Sequence, residues 1–123
     1  MPIVTTINDA KRLVEAQGSG VLMLSDIVKC FDTVVINQAM SYAKIFDARD
    51  CSVQLSDADV MELGARVSAY AAYEPRGPFA IVLPNGRGWD IAERFFNLGS
   101  AERPGKVFGT KEQALAWIAS LTG

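Results

Sequence analysis

The alternation of apolar and polar positions along this chain predicts strands and helices that follow one another. Short runs rich in β-branched or aromatic residues are typical of strands at Ile3–Ile7, Phe79–Leu83 and Lys106–Phe108. The run over Tyr42–Asp47 is apolar on nearly successive residues, as expected for a strand that is buried on both faces. Between these runs, apolar positions mostly recur at helical spacing. The pattern therefore predicts a sheet covered by helices.

The clearest helix signal begins at Ser56. The Ser56 hydroxyl can accept from free N–H groups of the first turn, and Asp59 completes a pair that resembles a capping box. Leu55 and Val60 occupy the two positions of a hydrophobic staple. The residues that form one apolar face of this helix are Val60, Leu63, Gly64, Val67 and Ala71.

Three further helices are predicted. The first begins at about Ser25 as its N-cap, and its buried positions are Ile27, Phe31, Val34 and Val35. Another covers Trp89–Leu98. The last begins after Thr110, with Gln113 at the reciprocal capping position.

The segment after the Asn8–Asp9 turn fits two structures. Asp9 can cap a short helix that ends at Gly18, and helix propensity slightly favours this interpretation. Alternatively, Arg12–Gln17 is a strand that returns from the turn, and Gly18–Gly20 is a flexible break. We predict the strand, which the family resemblance given below favours. The order β-β-α-β-α-β-α-β-α then implies a mostly parallel five-stranded sheet with about four helices and an antiparallel edge.

Length, composition and charge fit one domain over residues 1–123. Half of the 123 residues are hydrophobic and the net charge is −2, without a basic stripe for nucleic acid. No apolar run approaches the length of about 18 residues that a membrane span needs. The first residues lack the basic start and apolar centre of a signal peptide, so we expect a cytoplasmic protein.

Several kinds of chemistry are disfavoured by the residue inventory. The chain has no histidine and only two cysteines, Cys30 and Cys51, so we expect no metal, no cofactor and no disulfide. Cys51 follows Asp50, whose carboxylate discourages a thiolate. We therefore expect no catalytic residues, although Asp47 and Asp50 leave open an enzyme with a carboxylate base.

The carboxyl ends of the predicted strands mark the expected working surface. Ligands of open α/β sheets bind beyond these ends, which here lead into helix N-termini that favour anions. The candidate binding edge comprises Asp47, Arg49, Asp50, Ser56, Asn85, Arg87 and Thr110. Ordinary turn chemistry also accounts for Asn85 and the glycines that follow it. The candidate residues for a partner surface or an apolar pocket are Tyr70, Tyr73, Trp89, Phe95 and Phe96.

The chain resembles the STAS domain, and more closely the small bacterial SpoIIAA-like proteins of STAS/SEC14 type. The resemblance covers nearly the whole chain and rests on "RLVEAQGSG", "AKIFDARD", "SDADVMELGARV", "FAIVLPNGRGW" and "KVFGTKEQALAWI". It implies an α/β fold and no enzymatic activity. Antagonist STAS domains carry an Asp, a Ser or Thr, a Ser and a Gly where the helix begins, and one of these hydroxyls is phosphorylated. Here Ser52 and Ser56 are present, but that motif is absent.

Three functions follow as hypotheses. The first is a regulatory or protein-interaction module of STAS type without the phosphorylation motif. The second is a domain that binds an apolar or anionic small molecule, as the SEC14-type label implies. The third is the enzyme with a carboxylate base. The partner is an unknown protein or small ligand, and a homodimer is compatible with all three.

Overall fold

The computed structural model describes residues 2–70, 77–83 and 105–122. These residues form a mixed five-stranded sheet and three helices. The strands are β1 (Ile3–Asn8), β2 (Leu13–Leu22), β3 (Ala43–Val53), β4 (Phe79–Val82) and β5 (Gly105–Phe108). The helices are α1 (Leu24–Ile36), α2 (Asp57–Tyr70) and α3 (Lys111–Thr122). The predicted helix over Trp89–Leu98 lies outside the described residues.

The strands lie side by side in the order β1-β2-β3-β4-β5. The β1–β2 pair is antiparallel, and the other three pairs are parallel. The predicted strand over residues 12–17 is therefore confirmed, and the alternative of a helix is wrong. The strand predicted over Tyr42–Asp47 lies inside the sheet as expected, since β3 pairs with β2 and β4, and β4 in turn pairs with β3 and β5.

Two strands are longer than predicted. Residues Gly18–Gly20 belong to β2, so the predicted flexible break is wrong. Strand β3 continues to Val53, beyond the predicted end of its strand at Asp47. The two extensions stabilise each other by pairing, from Ser19 opposite Asp50 to Leu22 opposite Val53. We call this paired extension, residues 19–22 and 50–53, the ribbon.

Capping side chains set where the helices begin. The predicted capping box of α2 is confirmed, because Asp59 N–H donates to Ser56 Oγ (3.1 Å) and Ser56 N–H donates to Asp59 Oδ2 (3.0 Å). Helix α1 begins at Leu24, before the predicted cap Ser25, so Ser25 is not its cap. The Asp26 carboxylate instead accepts from Met23 N–H (2.9 Å), which makes Met23 the capping position.

The three described helices lie on both faces of the sheet. Alternate residues of β4 point to opposite faces. Phe79 packs in one cluster with Phe31 of α1 and Leu63 of α2. Ala80 packs in another cluster, whose α3 members are Ala114 and Ile118. Helices α1 and α2 therefore cover one face, and α3 packs against the other.

Candidate functional site

Asp47 stands where β4 stops and β3 continues. The last pair between the two strands is Asp47 opposite Val82, and beyond it, among the described residues, β3 pairs only with β2. Asp47 shares its face of the sheet with Ile45, two residues before it, which packs with the α3 side chains. The Asp47 residue is only 8% exposed. A carboxylate is thus held nearly out of solvent at the point where the sheet narrows.

Arg49 binds the Asp47 carboxylate through both carboxylate oxygens. Its Nε donates to Oδ1 (2.9 Å), its Nη2 donates to Oδ2 (2.7 Å), and its backbone N–H also donates to Oδ1 (3.1 Å). The Arg49 hydrogen bonds are the main reason that the pKa of Asp47 lies below its ordinary value. Asp47 therefore stays ionised at neutral pH and is a poor general base.

The amino terminus of α3 brings further charges to this place. Lys111 Nζ forms an ion pair with Glu15 Oε1 of β2 (2.8 Å). The Lys111 charge also contributes to lowering the pKa of Asp47. Thr110 caps this helix as predicted, since Gln113 N–H donates to Thr110 Oγ1 (3.2 Å). We call Glu15, Asp47, Arg49 and Lys111 the charged cluster.

Two members of this cluster were absent from the predicted site. Glu15 lies opposite Ile45 in the β2–β3 register, so it shares the face of the sheet that α3 covers. The alternation of Glu15 with buried Val14 and Ala16 was visible in the sequence. The position of Glu15 beside Lys111, however, depends on the strand order, which the local sequence pattern does not show.

A bulge changes which residues of β3 face solvent. The register steps from Gln17 opposite Asp47 to Ser19 opposite Asp50, so β3 has one residue more than β2. Arg49 and Asp50 are both exposed as a result. Candidate residues Asp47, Arg49 and Asp50 thus lie inside a strand, and the prediction that they end it is wrong.

Cys51 follows directly in the same strand and is half-buried. Its Sγ lies 3.5 Å from the carbonyl oxygen of Ala48. Burial, with the charges of Asp47 and Asp50, raises the pKa of the thiol to about 11. Burial also raises the pKa of Cys30. Both thiols therefore stay protonated at neutral pH, which makes them poor nucleophiles.

Comparison with known proteins identifies the architecture. No family profile and no curated protein matches the sequence. A solved structure does match, that of an uncharacterized protein from the DUF3478 family with a SpoIIAA-like fold, from Shewanella loihica PV-4. The TM-score is 0.62 over 94% of this chain and 93% of that one, at 17% sequence identity. This chain has a SpoIIAA-like fold. The fold implied by the sequence resemblance is thus confirmed, and at this identity the likeness concerns the fold alone.

Within the SpoIIAA-like fold, Ser56 is separated from the charged cluster by the sheet. Ser56 begins α2, which packs on the face with Phe79, whereas α3 and Asp47 are on the opposite face. The Ser56 hydroxyl is already used as a cap acceptor. Ser52 is exposed on the ribbon opposite Val21. The candidate binding edge is therefore divided between Ser56 on one face of the sheet and the charged cluster on the other.

Other candidate residues fall outside the described part of the SpoIIAA-like fold. These are Asn85, Arg87, Tyr73, Trp89, Phe95 and Phe96. Tyr70 is the last residue of α2. Within residues 2–70, 77–83 and 105–122, no three His, Cys, Asp or Glu side chains cluster closely enough to hold a metal ion. No helix in these ranges has the length and apolar character of a membrane span.

Proposed function

We propose that this chain is a non-catalytic regulatory or protein-interaction module of STAS type, which acts by non-covalent binding. The observation that supports the proposal most is that three candidate reactive groups of the described residues are bonded within the fold or have an unfavourable pKa. Asp47 is bound by Arg49, the Ser56 hydroxyl caps α2, and Cys51 has a raised pKa. A nucleophile or base needs the opposite condition, with a pKa close to the working pH and an accessible atom.

The ribbon is the surface that we assign to the partner. Val21 lies opposite Ser52 and is 52% exposed, and Ser19 lies opposite Asp50. Met23, just after the ribbon, is also exposed. Apolar side chains flanked by polar and charged ones are typical of the exposed patches that bind other proteins. The adjacent Arg49 adds a cation whose side chain is 42% exposed.

The other two functions have less support. The lowered pKa of Asp47 counts against an enzyme with a carboxylate base. Binding of an apolar or anionic small molecule remains a prediction that rests on Trp89, Phe95 and Phe96, which lie outside the described residues. The charged cluster contains two cations, but each is already paired with a carboxylate of the same cluster.

Site-specific photo-cross-linking in the native host tests the proposal. A photoreactive amino acid replaces Ser52 on the ribbon, and a matched variant carries it at Lys29, an exposed position of α1. We expect a discrete protein adduct from position 52 and none from position 29. Adding Arg49→Glu to the Ser52 variant should reduce the yield. Equal adducts from both positions, or none from position 52, would contradict the assignment.

A further inference from the structure

Strand β1 lies at one edge of the sheet that the described residues form. Among the described residues only β2 pairs with it. Pro2 O accepts from Ser19 N–H (2.8 Å), so the polar groups of residue 2 point towards β2. This direction alternates along a strand, and residues 4, 6 and 8 therefore also point to β2. The N–H and C=O groups of Ile3, Thr5 and Ile7 point away from the sheet.

This edge lacks the usual features that prevent strands from pairing with other chains. Natural edge strands carry charges, prolines or bulges, or are very short. Strand β1 has six residues, IVTTIN, with neither charge nor proline, and its register with β2 is continuous. Val4 is 60% exposed. By contrast, β5 at the other edge has four residues and includes Lys106. The β1 edge is thus the one suited to accept a further strand.

We propose that a second copy of this chain pairs with β1 through its own β1, antiparallel and about a two-fold axis at Thr5. Ile3 of each copy then faces Ile7 of the other, and Thr5 faces Thr5. In this register the outward N–H and C=O groups of each facing pair bond to each other. Val4 faces Thr6 of the second copy. This contact does not use the ribbon, because β1 pairs with residues 13–18 of β2 and the ribbon begins at residue 19.

The sequence of β1 favours its own copy as the occupant. When the strand is reversed about Thr5, Ile3 faces Ile7, Thr5 faces Thr5, and Val4 faces Thr6, so every facing pair is uncharged and β-branched. No charge is left facing an apolar group, and a two-fold interface requires this kind of self-complementarity. On the face where Val4 and Thr6 stand, both side chains are exposed, so pairing covers them without displacing a packed group.

Two matched variants test the interface through molar mass. Light scattering coupled to size exclusion should give the wild type twice the chain's 13.3 kDa. Val4→Lys with Thr6→Lys places like charges opposite each other across the interface, which is destabilising. Val4→Glu with Thr6→Lys places opposite charges there. Within one copy, Lys at position 6 faces Glu15 in both variants. We expect the first variant to be a monomer and the second to remain a dimer.

Cross-linking tests the register itself. Val4 and Thr6 of the second copy form a non-hydrogen-bonded pair, whose Cα atoms are about 4.5 Å apart, within disulfide range. Mixing Val4→Cys protein with Thr6→Cys protein under mild oxidation should give a covalent dimer. Either variant alone should give little, because identical positions lie diagonally across the axis. Wild-type chain, with only half-buried Cys30 and Cys51, is the background control.

The molar masses and the cross-linking yield decide whether β1 holds two copies together. A wild type that stays monomeric at all concentrations, and a mixture that does not cross-link, would overturn the proposal. So would a dimer that survives Val4→Lys with Thr6→Lys, because another surface would then hold the copies together. Circular dichroism of both double variants verifies that a change in mass reflects the interface and not unfolding.

Discussion

The two halves of β3 are held in place by different interactions. Residues Ala43–Asp47 lie between β2 and β4, and Ile45 in their centre is 2% exposed. Residues 48–53 continue the same strand, but within the described part of the chain they pair only with β2, and they expose Arg49, Asp50 and Ser52. One half is part of the core, and the other extends past the end of β4.

This difference separates stability from function within one strand. The first half is fixed by burial of apolar side chains between two layers of helices. The second half is fixed by backbone pairing with β2 and by the Asp47–Arg49 ion pair where the halves meet. Because its outward side chains contribute little to packing, they are free to contact a partner. A mutation should therefore affect stability in the first half and binding in the second.

The largest expected effect comes from truncating the first half. Ile45→Ala removes buried methyl groups and leaves a cavity, which should lower the free energy of unfolding by about 2–5 kcal/mol. Ser52→Ala, at an exposed position of the second half, should change it by less than about 0.5 kcal/mol. Urea unfolding of both variants measures the contrast. Similar losses in the two would show that both halves are equally packed.

A smaller effect is expected at Ser56, which links the second half of β3 to α2. Ser56→Ala should cost about 1 kcal/mol, because the N–H of Asp59 loses its acceptor. Ser56→Asn should retain most of the stability, since asparagine is an equally good cap. Ser52→Ala is the matched control for loss of a serine hydroxyl. A Ser56→Ala variant as stable as this control would mean that the cap contributes nothing.

The smallest effect concerns the ion pair where the halves meet, and it depends on pH. The pKa of Asp47 is lowered in the folded state, so its ionised form stabilises the fold at pH values above its ordinary 3.8. That stabilisation is lost as the pH falls through the lowered folded value. Arg49→Met should therefore be less stable than the wild type at neutral pH, and the difference should shrink in acid.

Unfolding titrations over this pH range measure the difference. In an Asp47→Asn background the same Arg49 substitution should lose its pH dependence, since no carboxylate is left to titrate. A dependence that persisted there would assign it to another group.

The sequence predicted the first half of β3 well and the second half poorly. The apolar run before Asp47 and the cap at Ser56 are local signals, and both were found. The segment DARDCS has the polar composition of a turn, and it forms a strand only because Ser19–Leu22 of β2 pairs with it. Glu15 and Lys111 meet through the strand order, which no local pattern encodes. Local chemistry thus predicted the elements, and pairing between distant segments determined the site.

We infer that the candidate binding edge acts without covalent chemistry and that Ser56 serves only as a cap. At Ser56 a phosphoryl group would gain from the helix N-terminus, but it would meet Asp57 and Asp59 in the first turn. The phosphoryl group would add a charge of about −1.5 to −2 beside these two carboxylates. We therefore expect the repulsion to exceed the attraction by the helix N-terminus. Intact-mass spectrometry of the chain purified from its native host is the direct measurement. We predict the unmodified mass, and a stoichiometric phosphate on Ser56 would contradict the claim and restore a phosphorylation switch.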